Sequence, residues 1–419
     1  MEYGRAHQNL LTADRLTVRS VAIDDPGELV ARLPGPAALA WIRHGEGMVG
    51  WGEAARIALP AGQDMFTAGE KWLRELFDRA LVDDQVQLPG SGPVAFGAFT
   101  FDPTSDGSVL VVPAMVLGRR AGQAWLTSIG GPGTGLPVPS PLRPPSEVRW
   151  HDGSLPAPDW ERAVATAVSR IKAGGLGKVV LARDLYATTS AGIDTRVLLR
   201  RLAGRYPGCY TFACAGLVGA TPELLISRQG TDISSLVLAG TTPRGRDAAA
   251  DAALGASLLA SAKDVAEHEY AVAGVRATLA PLCEKLSVDP RPSLLRLANV
   301  QHLATRIRGR LAGSGSEHSA LSLVATLHPT GAVCGTPTEA AMEVIRELEG
   351  MDRGRYAGPV GWMDDQGNGE WCIALRCAEI EGSRARLFAG CGIVAGSDPA
   401  AELAEAQIKL RPMQFALEG

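Results

Sequence analysis

Between Gly130 and Pro158 the chain reads GGPGTGLPVPSPLRPPSEVRWHDGSLPAP, and no other segment restricts the fold as much. Proline removes a backbone donor and fixes φ, and glycine raises the entropic cost of order, so neither a long helix nor a central strand runs through it. The segment divides the 419 residues into a stretch of 1–150 and a longer one of 151–419, at a length that commonly holds two or three units.

Before the divide, Ala38 to Ile42, Val94 to Phe101 and Val109 to Val116 are apolar runs bounded by Gly, Pro and Asp, which predicts mostly strands, with one helix near Ala68 to Ala80. After it, Trp160, Ala163, Val164, Ala167, Val168 and Ile171 repeat at helical spacing, with Asp159 placed as a cap and Gly174, Gly175 and Gly177 as the stop. Lys178 to Ala187, Cys209 to Ala215, Glu223 to Ser227, Ala357 to Trp362, Trp371 to Ile380 and Ala385 to Ile393 have strand composition; Asp251 to Leu282 and Pro337 to Leu348 read as helices. Helices and strands cluster and do not alternate strictly, which predicts an α+β fold with antiparallel sheet.

Hydrophobic residues at 46%, charged residues at 21% and a mean hydropathy of +0.05 describe a globular protein. Forty-one basic against 45 acidic residues, with no basic run, argue against nucleic acid as a partner. Met1 to Gln8 carries both charge signs and leads into no apolar cleavage region, so no secretory signal is expected. The apolar runs Ser108 to Gly118 and Tyr206 to Pro222 are too short and too broken to cross a bilayer. Seven scattered cysteines, none in a C-x-x-C pair, read as reduced core residues of a cytoplasmic protein. Neither a strand-G-x-G-x-x-G-helix context nor a phosphate-binding G-x-x-x-x-G-K-[ST] is present, and G-x-S-x-G is absent too.

Some polar residues stand where apolar ones are expected. Lys178 opens an apolar strand after a glycine-rich turn, either snorkelling to water or desolvated into a base, and its spacing does not choose. Glu223 lies between GLVGATP and LLIS, either a solvated strand end or a buried acid kept protonated. Lys263 and Glu267 have the spacing of a surface pair, and Glu402, Glu405 and Lys409 share one helix face after Asp398 and Pro399. If those two helices converge, Glu267 and Glu405 supply the hard oxygen ligands that Mg2+ takes. His302 and His328 form no zinc motif.

KVVLAR (178–183), GATPELLIS (219–227), LAGTTPRG (238–245), SAKDVAEHE (261–269), HLAT (302–305), LHPTGAVCGTP (327–337), YAGPVGW (356–362), GNGEWCIALRCA (367–378) and LFAGCGIVAGSDPAAELAEAQIKL (387–410) resemble, in order, the signature blocks of the chorismate-utilising enzymes. The match is best to the isochorismate-forming branch and covers the chain from Asp159 onward. The resemblance implies two antiparallel sheets packed face to face between helices, with 1–150 contributing strands to the same body and the proline-rich segment an internal crossover. It implies Lys178 as the base that activates water and Glu223 as the acid that protonates the leaving hydroxyl. It also implies Glu267 and Glu405 as Mg2+ carboxylates, with Glu402 acting on the metal through water. Arg376 matches an enolpyruvyl-carboxylate site, and Lys409 with the backbone at Gly390 and Gly392 matches a ring-carboxylate site. His302 matches a residue lining the ring, and Gly240 and Thr241 the floor under the leaving group.

Relatives that use ammonia normally carry another residue at the Lys178 position, so the lysine points to water and to no glutamine amidotransferase subunit. Salicylate-forming relatives typically have threonine where Ala332 stands, so Ala332 implies that the reaction stops at isochorismate. The alternatives are a salicylate synthase and, more remotely, an inactive carboxylate-binding relative. The expected partner is chorismate alone, acted on by a monomer with no membrane association.

Overall fold

A computed structural model describes residues 15–131, 135–315 and 317–419. The expectation about a secretory signal in residues 1–8 falls outside the described residues. No helix among them is long and apolar enough to cross a membrane.

Helix Ala157–Ala173 buries Trp160, Ala163, Val164, Ala167, Val168 and Ile171 on one face, as their spacing predicts. Its start differs from expectation. Pro156 is the N-cap and Asp159 lies in the first turn, paired with Arg162. Pro158 fits inside that turn because its missing N–H would have had no helical acceptor. The stretch expected to be one helix from Asp251 to Leu282 is two, Ala248–Ala260 and Ala262–Leu279, ending in a single 3-10 turn. Ser261 breaks it by adopting extended backbone and accepting the Asp264 N–H on its hydroxyl.

The strands form two large sheets. Pairing among the described residues is antiparallel, except that Thr17–Ile23 runs parallel to Leu81–Asp84 at one edge of the first sheet. Both sheets draw strands from either side of the proline-rich segment. Leu39–Arg43 pairs with Tyr210–Cys214 in the first, and Val94–Ala98 with Pro359–Asp364 in the second. The proline-rich segment itself is tied to the body, with the Ser140 carbonyl accepting from buried Arg196 and Arg149–Asp152 pairing along Lys178–Thr188.

The sheets meet where Tyr210–Cys214 packs on Val94–Ala98 and Pro359–Asp364, and Trp41 Nε1 reaches across to Glu370 at 2.9 Å. All five residues of Tyr210–Cys214 are buried because helix Thr195–Arg205 covers the other face, so YTFAC shows no alternation.

Two runs that read as single strands are split between sheets. Val109–Val112 belongs to the second sheet and Met115–Arg120 to the first, separated by Pro113, which cannot continue a ladder. Gly369–Ile373 belongs to the second and Cys377–Glu381 to the first, with the chain crossing at 374–376. Beside it, the chain crosses the opposite way between Leu217–Thr221 and Leu224–Gln229. Ala220 N bonds to Arg376 O and Ile373 N to Glu223 O, so the two crossings run side by side.

Candidate active site

A crossing interrupts both ladders, which lets a polar side chain turn inward where a continuous strand would pack an apolar one. Glu223 stands on one crossing and Arg376, with φ of 49°, on the other. They share one wall of a pocket of about 870 Å³ including its open mouth. Helices Ala262–Leu279 and Pro399–Glu418 bring Glu267, Glu402, Glu405 and Lys409 to the same space, along with Lys263.

Burial pushes the Glu223 carboxyl up to about 8 against the pull of Lys178, Arg376 and Lys409, so it carries a proton at neutral pH. Arg376 Nη2 lies 3.2 Å from His302 Nε2, and its buried Nη1 has no partner among the described residues. Burial, with Arg376 and Lys409 nearby, holds His302 well below the ordinary imidazole value, hence neutral. Its Nδ1 sits 3.1 Å from Thr241 Oγ1 and 3.3 Å from Gly240 O. Gly240, with φ of 76°, falls where the register shifts between Ala239 and Thr241, and this bulge turns its carbonyl to the histidine.

Strand Arg384–Ile393 is paired with Cys377–Glu381 only as far as Leu387. Beyond that, Phe388, Ala389, Gly390 and Gly392 line the pocket, and Gly390 O accepts from Lys409 Nζ at 2.8 Å. A side chain at Gly390 would meet the Tyr356 hydroxyl at 3.0 Å. Ala332 lines the pocket from the turn closed by Val333 N and Cys334 N on Thr330 O.

Lys178, 3% exposed, lies behind Gly392 and is not among the lining side chains. Its Nζ is 2.9 Å from Glu267 Oε1. Lys263, read from sequence as the helical partner of Glu267, instead reaches Glu402 at 3.8 Å, because the two helices face each other across the mouth. Lys409 holds Glu405 at 2.6 Å. Each of the three carboxylates thus has its own lysine partner. Burial raises Glu402, whereas at Glu405 burial, the largest single influence, is outweighed by Lys409 acting with Arg376 and Lys263, which together hold it below the usual range.

Glu402 and Glu405, with Cys391, present donor atoms within 4.8 Å of one another, and Glu267 stands apart from that group, drawn to Lys178. The carboxylates of Glu402 and Glu405, with Glu267 lining the same pocket, suit a hard, oxygen-seeking cation such as Mg2+. Asp264, Tyr356, Leu375 and Phe388 also line the pocket and were not singled out from sequence. Asp264 lies in the SAKDVAEHE block, whose dense charges read as a solvated helix face; Tyr356 reads as one more aromatic before an apolar strand.

The family model described as chorismate binding enzyme matches residues 140–418. The chain belongs to that family. This chorismate-binding enzyme is 36% identical over 386 residues to the isochorismate synthase MenF of Bacillus subtilis, spanning 85% of this chain and 81% of that one. It is 42% identical over 341 residues to a putative isochorismate synthase MenF of Mycobacterium tuberculosis, covering 78% and 87% respectively. The crystal structure of a putative 2,3-dihydroxybenzoate-specific isochorismate synthase from Bacillus anthracis superposes with a TM-score of 0.78 at 32% identity, over 93% of this chain and 98% of that one.

Proposed function

We propose that this chorismate-binding enzyme is an isochorismate synthase, adding water to ring carbon 2 of chorismate as the hydroxyl leaves ring carbon 4. The observation that carries the reading is Glu223, a carboxylic acid kept protonated to about pH 8 in the wall of the pocket. The relatives described as isochorismate synthases support it.

Chorismate is a dianion, and the pocket meets it with Arg376, whose Nη1 lacks a partner, and with Lys409. His302 accepts from Arg376 and keeps the guanidinium turned toward the enolpyruvyl carboxylate. Lys178, entering the step as the free amine, takes a proton from water as the water oxygen bonds to ring carbon 2, the two ring double bonds shift, and Glu223 gives its proton to the departing hydroxyl, which leaves as water. One water enters and one leaves. The proton on Lys178 then returns to Glu223 through solvent.

Glu267 and Glu405 would hold Mg2+ directly and Glu402 through water, and the bound ion would supply positive charge for a substrate carboxylate beside these glutamates. Ala332 leaves the wall near the ring open, and we infer that the enzyme stops at isochorismate. With water as nucleophile the chain needs no amidotransferase subunit, and from the family resemblance we infer that it works as a monomer.

Incubation with chorismate and Mg2+ followed by product chromatography tests this, and isochorismate is the expected peak. Salicylate with pyruvate as the main product overturns the choice of product, and an inert protein overturns the reaction. Lys178→Ala should lose turnover while still binding chorismate. Turnover within about tenfold of wild type, about 1.4 kcal/mol of barrier, is too small for an essential base.

A further inference from the structure

Strand Lys178–Thr188 has a gap along one edge. Gly335–Thr336 pairs with Lys178 and Val179, Cys334 O accepts from Val180 N at 2.7 Å, Arg149–Asp152 pairs with the stretch from Leu185 onward, and the groups from Val180 O to Ala182 have no strand beside them. An open edge in a protein interior leaves N–H and C=O groups that need partners. Side chains take the place of the missing strand. Glu349 Oε1 accepts from Ala182 N at 2.7 Å, Arg353 Nη2 donates to Val180 O at 2.8 Å, and Trp160 Nε1 donates to Ala182 O at 3.0 Å.

Glu349 and Arg353 are 2% and 3% exposed and bond to each other, Nε to Oε2 at 2.9 Å, with the guanidinium 4.1 Å from the centre of the Phe101 ring. The remaining nitrogen, Nη1, donates to Val333 O at 2.9 Å. A single guanidinium therefore joins the strand that begins at Lys178 to the turn that carries Ala332, and both Val180 and Val333 line the pocket.

We propose that Glu349 and Arg353 are positioning residues that set the separation between the Lys178 strand and the Ala332–Val333 wall. This inference rests on the isochorismate-forming reading. A buried ion pair is a poor stabiliser, since apolar side chains of similar volume often hold a fold as well. What apolar side chains lack is the planar fork that fixes two carbonyls from different elements at once. The pair therefore holds Lys178 at its reach to the ring and fixes the width of the wall that decides whether bound product turns toward pyruvate elimination.

The test compares wild type with Arg353→Lys and with the double variant Glu349→Leu/Arg353→Met, reading Tm, kcat, KM, salicylate fraction and hydrogen exchange. The double variant strips Ala182 N, Val180 O and Val333 O of these partners and should melt several degrees below wild type; assayed well below that Tm, it should keep KM within about twofold while kcat per folded molecule falls about tenfold or more and the salicylate fraction rises. Unchanged kcat per folded molecule, or a fall accounted for by the unfolded fraction alone, overturns the proposal. Should the double variant fail to fold, Arg353→Lys carries the same comparison, since it keeps the charge and loses the fork. Hydrogen exchange separates this inference from the reaction itself. Faster exchange confined to 178–184 and 330–336, in a protein whose wild type leaves chorismate untouched, overturns the reaction and supports the joint between the two elements. Exchange unchanged in both segments overturns the joint, whatever the wild type does.

Discussion

Lys178 Nζ lies 2.9 Å from Glu267 Oε1, and the pair rests against the bare Cα of Gly392. Candidate base and candidate metal carboxylate therefore share one contact, reached from the pocket past a residue with no side chain.

Gly392→Ala should disrupt that contact. The added Cβ would stand 2.5 Å from Glu267 Oε1 and 2.9 Å from Lys178 Cε, so one of them must move. We expect kcat to fall about tenfold or more with Tm nearly unchanged, because pairing of this strand with Val180 is a backbone matter. Steady-state kinetics and a melting curve check it, and unaltered kcat would detach Gly392 from the machinery.

Glu223 gives a pH dependence of definite sign. Its folded value of about 8 exceeds the ordinary 4.5, so between these limits the folded protein holds a proton the unfolded chain has released. Its contribution to stability is complete below about pH 4.5 and is lost as pH rises through about 8. The Tm of Glu223→Gln relative to wild type should therefore climb between pH 5 and 8, and wild-type kcat should decline above about pH 8. A Tm difference that stays flat over this range contradicts a buried neutral carboxyl.

Glu405→Ala removes a carboxylate and leaves Lys409 without its carboxylate partner, although Lys409 still donates to Gly390 O. Mg2+ binding followed by calorimetry should weaken by about tenfold or more, and turnover should need correspondingly more metal. The same affinity in wild type and variant would place the ion away from this helix.

Ala332→Thr narrows the pocket beside Val333 with a β-branched hydroxyl. Bound isochorismate would then be turned toward the pose for pyruvate elimination, which needs little further from the protein. Salicylate fluorescence at equal chorismate turnover should rise above the wild-type trace. Overlapping traces would remove position 332 from control of product fate.

Much of this was legible from residues alone. The spacing of Trp160 through Ile171 gave the helix face, and Lys178 and Glu223 stood out as charges inside apolar runs. The crossing at 374–376 was hidden, because WCIALRCA keeps one composition while its hydrogen-bond partners change sheet. Glu349 and Arg353 were hidden for the opposite reason. ELEGMDRGR looks like the solvated end of a helix, and only the neighbouring strand's unpaired edge reveals where the charges go. Lys263 shows the limit of i, i+4 reasoning, since its partner lies on another helix.

The paired crossings also bear on how such a scaffold diversifies. Glu223 and Arg376 are anchored where two ladders hand over the chain, so a change of backbone there would disturb both sheets together. Lys263, Glu267, Glu402, Glu405 and Lys409 come from two helices laid on the outside, and Ala332 from a turn. Substitutions at the helices and the turn leave the ladders intact. New substrates and new fates for the same ring are thus open to a lineage through its helices and turns, while the candidate acid Glu223 and the candidate anion-binding Arg376 are inherited with the core.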